Sequence, residues 1–169
     1  MIRYADIVKE SVVDGPGIRM TVFLQGCPRH CEGCQNEELL PLDGGRKLAE
    51  AAFAELLLKN ISPLHQGITF SGGDPLIQAE ALQQIIKLIK QSKPQLDIWV
   101  YTGYVYEDIK DLPVIRLIDV LVDGPFIQEQ KDLRLAFRGS TNQRVIDVQK
   151  SLQCGRLIQL AVDNIPKAG

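Results

Sequence analysis

Three thiols crowd into eight residues near the N-terminus, and they constrain this chain more than any other feature. Cys27 to Cys34 reads Cys-Pro-Arg-His-Cys-Glu-Gly-Cys, a CxxxCxxC spacing, and Cys154 lies far along the sequence. Thiolates this close repel one another; a bound metal resolves the conflict by deprotonating them and taking up their charge. One reading is zinc, with His30 as a fourth ligand beside Cys27, Cys31 and Cys34. Zinc half-sites, however, favour two-residue gaps and come as separated pairs. Three cysteines without a second half-site suit a four-iron cluster, in which one iron keeps no protein ligand and is open to chemistry. The spacing favours iron–sulfur over zinc.

At 169 residues the chain reads as a single domain, 1–169, able to bury a substantial core. A hydrophobic share of 45% and a charged share of 24% are those of an ordinary globular protein. The 19 basic and 21 acidic residues nearly cancel, and no Lys/Arg run reaches five, which argues against a nucleic-acid partner. No apolar run approaches the length of a membrane span. The N-terminus MIRYADIVKE alternates charge and apolarity, unlike a signal peptide. A cytoplasmic location follows as the expectation, where thiols stay reduced and free to bind metal. The sequon Asn60-Ile61-Ser62 has no consequence in that compartment.

The pattern along the chain predicts alternating strands and helices. Residues 2–13 read as an extended arm, Thr21 to Gln25 as a short strand ending at Gly26, and 35–45 as a loop. A helix is predicted over about 46–60, with Ala49, Ala52, Phe53, Leu56 and Leu57 on one face. A strand over Gly67 to Phe70 follows, then a helix over about 76–92 carrying Leu82, Ile85, Ile86 and Ile89 inward. Asp97 to Tyr101 and Ile118 to Val122 read as strands, separated by a polar helical stretch around 104–111 that Pro113 cuts. Residues 126–143 look irregular, and Arg144 to Val148 and Leu157 to Val162 read as two more strands. Such alternation implies βαβ units and a parallel sheet.

The unusual residues follow strand ends. Cys27, Gly72-Gly73-Asp74, Thr102-Gly103 and Asp123-Gly124-Pro125 all stand just past the C-terminal ends of predicted strands. In a parallel sheet those ends share one edge, where ligands bind. A closed eight-stranded barrel takes roughly 200 residues or more. The fold class is therefore α/β, an open partial (β/α) barrel with a mostly parallel sheet. Within SGGDP at Ser71 to Pro75, glycines let a backbone approach a ligand closely, while Asp74-Pro75 is also an ordinary helix start. Gly15-Pro16-Gly17 is no dinucleotide fingerprint, since it precedes a strand and lacks the third glycine; it reads as a rigid turn laying the arm near the cluster edge. Arg19 and Arg29 are read either as offsetting the charge of a thiolate cluster or as solvated. Cys154 reads as an idle or buried thiol, and His30 and His65 belong to no catalytic arrangement.

The cysteine motif resembles that of the radical S-adenosylmethionine superfamily. DGPGIR at Asp14 to Arg19 and FLQGCP at Phe23 to Pro28 are similar to the glycyl-radical-enzyme activating enzymes, and within them to the activators of anaerobic ribonucleotide reductases. SGGDP resembles the family's Gly-Gly-Glu stretch, with Asp74 in place of Glu, a form those activators commonly carry. Asn36 matches the CxN pattern, and FRGSTNQRVIDV at Phe137 to Val148 resembles the activators' C-terminal signature, with no catalytic role assigned.

The resemblance implies one [4Fe-4S] cluster on Cys27, Cys31 and Cys34, and S-adenosylmethionine bound by Gly33, Cys34, Gln35, Gly72, Gly73, Asp74 and Thr102. Gly33 stands where many members place an aromatic residue that packs on adenine. By that implication the cofactor's amino and carboxylate groups chelate the open iron. A reduced cluster then cleaves the cofactor, and the 5′-deoxyadenosyl radical takes a hydrogen atom from a partner's glycine. No catalytic side chain beyond the cluster ligands is required. The implied partners are anaerobic ribonucleoside-triphosphate reductase and an electron donor such as flavodoxin or ferredoxin. Two alternatives remain at this point: an activator of another glycyl-radical enzyme such as pyruvate formate-lyase, and a non-catalytic zinc module on Cys27, His30, Cys31 and Cys34.

Overall fold

Apolar residues at alternate positions send two different sets of side chains to the two faces of one sheet. The computed structural model describes residues 1–163. Its strands are β1 (Ile2–Ser11), β2 (Ile18–Leu24), β3 (Arg46–Leu48), β4 (His65–Gly72), β5 (Asp97–Tyr101), β6 (Val120–Asp123) and β7 (Arg144–Asp147). They form an open sheet in the order β3-β1-β2-β4-β5-β6-β7. The centre, β2-β4-β5-β6, is parallel, and the pairings at both margins are antiparallel.

On the outer face, Met20, Val22, Leu24, Ile68, Phe70, Ile98, Val100 and Leu121 form one core with the helices. Helix α1 (Glu50–Lys59) adds Phe53, Ala54 and Leu57. Helix α2 (Ala79–Ser92) adds Leu82, Ile85, Ile86 and Ile89, each fully buried. Each such side chain contributes about 1.5–3 kcal/mol of transfer free energy, an upper figure because the unfolded chain already hides part of that area. The intervening positions, Trp99, Val120, Val122 and Val145, face the other way and meet Ala136 and Val162. The chain after β6 thus folds back over the inner face and covers it.

Several predicted boundaries shift for tertiary reasons. The predicted helix over 46–60 starts with a strand, because Arg46–Leu48 pairs with Ile2–Tyr4. The predicted helix over 76–92 opens with a 3₁₀ turn at Pro75–Gln78, and the stretch over 104–111 condenses to α3 (Tyr106–Ile109). Leu157 to Val162 is not a strand. It makes one bridge, Gln159 to Ile146, and leaves after Leu160 N–H bonds to the Val145 carbonyl, so that Val162 can enter the inner core. The last helix, α4 (Val148–Cys154), is capped by the Asp147 carboxylate, which accepts from Lys150 N–H at 3.0 Å.

Arg19 corrects both readings given for it. It is fully buried, so it is not solvated. It lies near the start of β2, roughly 16 Å of strand from the turn that leads to Cys27, so it is not beside the cysteines. Its guanidinium donates to Thr69 Oγ1 at 2.9 Å, pairs with Asp97, and lies 5.2 Å from the Trp99 ring centroid. Its stem fills the inner face where an aliphatic residue would otherwise be needed. Arg19→Ala is expected to cost about 3 kcal/mol or more, through lost packing and unpaired polar groups. Asp97→Asn should cost less, about 1–3 kcal/mol, because Arg19 keeps its packing, its Thr69 contact and an amide oxygen to donate to, while its fully buried guanidinium loses its counter-charge. Anaerobic denaturant unfolding of both variants checks this ranking.

Candidate functional site

The parallel strands β2, β4, β5 and β6 end on one edge, and the segments that follow them surround a hollow of about 530 Å³. Cys27, Cys31, Cys34, Gln35, Gly72, Gly73, Asp74 and Thr102 all line it. Of the predicted site residues only Gly33 does not. It is exposed, and a side chain added there would meet Gln128. The space that an aromatic residue at this position would take is therefore used by a glutamine from the segment after β6.

The cysteine loop is held by its own backbone. Gly26 N–H donates to the Leu39 carbonyl at 2.8 Å, Cys27 N–H to Leu40 at 3.1 Å, and Cys34 N–H to Cys31 at 3.1 Å. The Gln25 amide closes the far side by donating to the Pro41 carbonyl at 2.9 Å. All three thiols are free and partly exposed to the hollow. Burial pushes the Cys27 thiol above its ordinary range, against hydrogen bonds from Arg29 that pull it down. Metal binding at Cys27 would therefore release a proton near neutral pH.

Zinc would need four ligands about 2.0–2.3 Å from a common point. Among the described residues no three His, Cys, Asp or Glu side chains converge that way. His30 is exposed and does not line the hollow. Cys27, Cys31 and Cys34 all line the one hollow, and a four-iron cluster would take one iron per thiolate from such a set.

Asp74 sits at the centre of this edge with 1% of its surface exposed. Its Oδ1 accepts from Leu76 N–H at 3.1 Å and from the Thr102 hydroxyl at 2.9 Å. Its Oδ2 accepts from Gly103 N–H at 3.0 Å and from the Arg29 guanidinium at 2.6 Å. The helix-start reading of Asp74 is thus realised. The hydroxyl of Thr102 and the charge of Arg29 are also committed to it, so Arg29 is paired and not merely solvated.

Residues 13–146 match a family model described as a 4Fe-4S single cluster domain. A Vibrio cholerae protein named anaerobic ribonucleoside-triphosphate reductase-activating protein is 40% identical over 138 residues, 78% of this chain and 89% of its own length. Proteins of the same name from Escherichia coli K12 and Enterobacteria phage T4 are 37% and 35% identical, each over 85% of this chain and over 97% and 93% of their own. The chain belongs to the anaerobic ribonucleoside-triphosphate reductase-activating protein family. Among solved structures, QueE from Escherichia coli is similar over 60% of this chain and 52% of its own, at 14% identity and a TM-score of 0.44.

In this family member the DGPG turn is pinned to the inner face. The Asp14 carboxylate accepts from Ser11 at 2.6 Å and Thr21 at 2.8 Å, and its carbonyl accepts from Thr69 at 2.9 Å. Asp14 and Tyr101 both line the hollow, and sequence reasoning missed both. Burial, then the nearby Asp14 charge, push the Tyr101 hydroxyl up, so it stays protonated. The signal for Tyr101 was present, since it shares the strand face of Trp99. The polar residues of 137–148 brace the loop after β6: Asn142 donates to the Pro125 carbonyl at 2.8 Å and Gln143 to Gly124 at 3.0 Å. Cys154 is exposed at the end of α4 and does not line the hollow.

The two glycines of SGGDP answer a packing demand. Gly72 has φ +108°, and a Cβ there would run into the backbone of Leu24. A Cβ at Gly73 would run into the Gly26 carbonyl, which also accepts Asp74 N–H at 2.8 Å. Neither neighbour can yield without moving the turn into Cys27. Gly73→Ala is therefore expected to lower the iron retained after anaerobic reconstitution, along with any loss of cofactor binding. Iron content at the level of the unaltered protein would show that the contact is not needed to seat the cysteine loop.

Proposed function

We propose that this chain activates an anaerobic ribonucleoside-triphosphate reductase by generating a glycyl radical on it, using S-adenosylmethionine and one [4Fe-4S] cluster held by Cys27, Cys31 and Cys34. The observation that carries this reading is the convergence of the three thiols on the hollow at the parallel strand ends, in a chain 35–40% identical to proteins bearing the activating-protein name. When bound, such a cluster supplies an electron to the cofactor and leaves one iron free to hold it.

The chain's own residues hold, shape and shield. Gln35, Gly72 and Gly73 form walls that S-adenosylmethionine would meet, with Gly33 at the outer rim. Asp74 and Thr102 act by fixing the edge, because their polar atoms already serve each other, Gly103 and Arg29. The inner face beneath the hollow is packed, with Trp99 and Phe137 in edge contact at 5.5 Å. Tyr101, held protonated, accepts no proton in the working range. The hollow has room for a cofactor and remains open outward, so the hydrogen donor is a macromolecule that brings its glycine to the edge. A cytoplasmic setting with a flavodoxin or ferredoxin as electron donor suits thiols that must stay reduced.

Mixing the reduced protein, S-adenosylmethionine and an anaerobic ribonucleotide reductase should give a glycyl doublet on the reductase by electron paramagnetic resonance, with 5′-deoxyadenosine accumulating beside it. Cys154→Ser should retain both, and Cys31→Ser should lose both. A doublet that forms only on a formate-lyase target would move the chain to another activator group.

A further inference from the structure

Arg29 stands between the first two cysteines and touches three separate parts of the site. It lines the hollow together with Cys27 and Cys31. The guanidinium also donates to Asp74 at 2.6 Å, beyond the end of β4, and lies 3.9 Å from the ring centroid of Tyr104, beyond the end of β5. Gly103 leaves room for it, since a Cβ there would lie 2.8 Å from Arg29 Cδ. A planar cation can stack, pair and donate sideways at once, which an ammonium cannot.

The electrostatics give this arrangement a purpose. The Asp74 carboxylate is buried and lines the same hollow as Cys27, its backbone N–H bonded at 2.8 Å to the carbonyl of Gly26, the residue before Cys27. Among the described residues, Arg29 is the only cation that donates to Asp74. Without it, an unneutralised buried carboxylate would stand beside the thiolates.

We infer that Arg29 is a positioning residue for the cluster, one that straps the cysteine loop to the ends of β4 and β5 and masks the Asp74 charge, so that a cluster beside it takes up an electron more readily. The inference rests on the cluster reading above and concerns a residue outside the CxxxCxxC ligands themselves. Charge and hydrogen bonds near cluster sulfurs set reduction potentials, and removing a cation lowers them.

The test is a redox titration of the reconstituted protein followed by electron paramagnetic resonance. Arg29→Gln, which keeps much of the stem, should shift the cluster's midpoint potential downward. Arg29→Lys should stay closer to the unaltered value, because it keeps the charge. Adding Asp74→Asn to Arg29→Gln should bring the potential back up, a coupling that loss of packing alone would not produce. An unchanged potential in Arg29→Gln, or no recovery in the double variant, would overturn the inference. If the unaltered protein assembles no four-iron cluster, the underlying reading fails, and this inference with it.

Discussion

The functional edge depends on one buried carboxylate. Asp74 takes a hydrogen bond from the turn that starts the α2 segment, two from the end of β5, and an ion pair from the cysteine loop. A carboxylate out of water is costly unless its lone pairs are met, and here donors from three segments meet them. The cost of leaving any of them out fixes the segments relative to one another. Asp74 N–H bonding to Gly26 adds the backbone of the cysteine turn to the same knot.

The sheet delivers these segments to one place. Parallel pairing of β2, β4, β5 and β6 puts four C-terminal ends on one edge, and period-two alternation divides each strand between two cores. The outer core is aliphatic and helix-covered. The inner core is smaller and contains a buried arginine beneath Trp99. That division leaves the site with the packed inner core on one side and the cysteine loop on the other. Among the described residues no helix is long and apolar enough to cross a membrane.

What the sequence made legible was local. The cysteine spacing, the period of β5 and the Asp-Pro helix start each depend on residues within one segment, and each stands where it was read. The fate of Arg19 was not legible, because its partners Thr69 and Asp97 lie 50 and 78 positions away. β3 could not be read, since Arg46–Leu48 becomes extended only by pairing with the first strand. Leu157 to Val162 carried a strand pattern that one bridge and the pull of the inner core override. Gly72 and Gly73 were visible as glycines, but the backbone that forbids a side chain there belongs to Phe23, Leu24 and Gly26. Arg29 offered only a charge near cysteines until Asp74, Gly103 and Tyr104 were seen around it.

The central claim is that Cys27, Cys31 and Cys34 hold a four-iron cluster whose open iron takes S-adenosylmethionine. Low-temperature electron paramagnetic resonance of the reduced protein, recorded with and without the cofactor, tests it most directly. Binding of the cofactor's amino and carboxylate groups at that iron should change the g values of the reduced cluster. A cluster signal that is identical with and without saturating S-adenosylmethionine would contradict the claim.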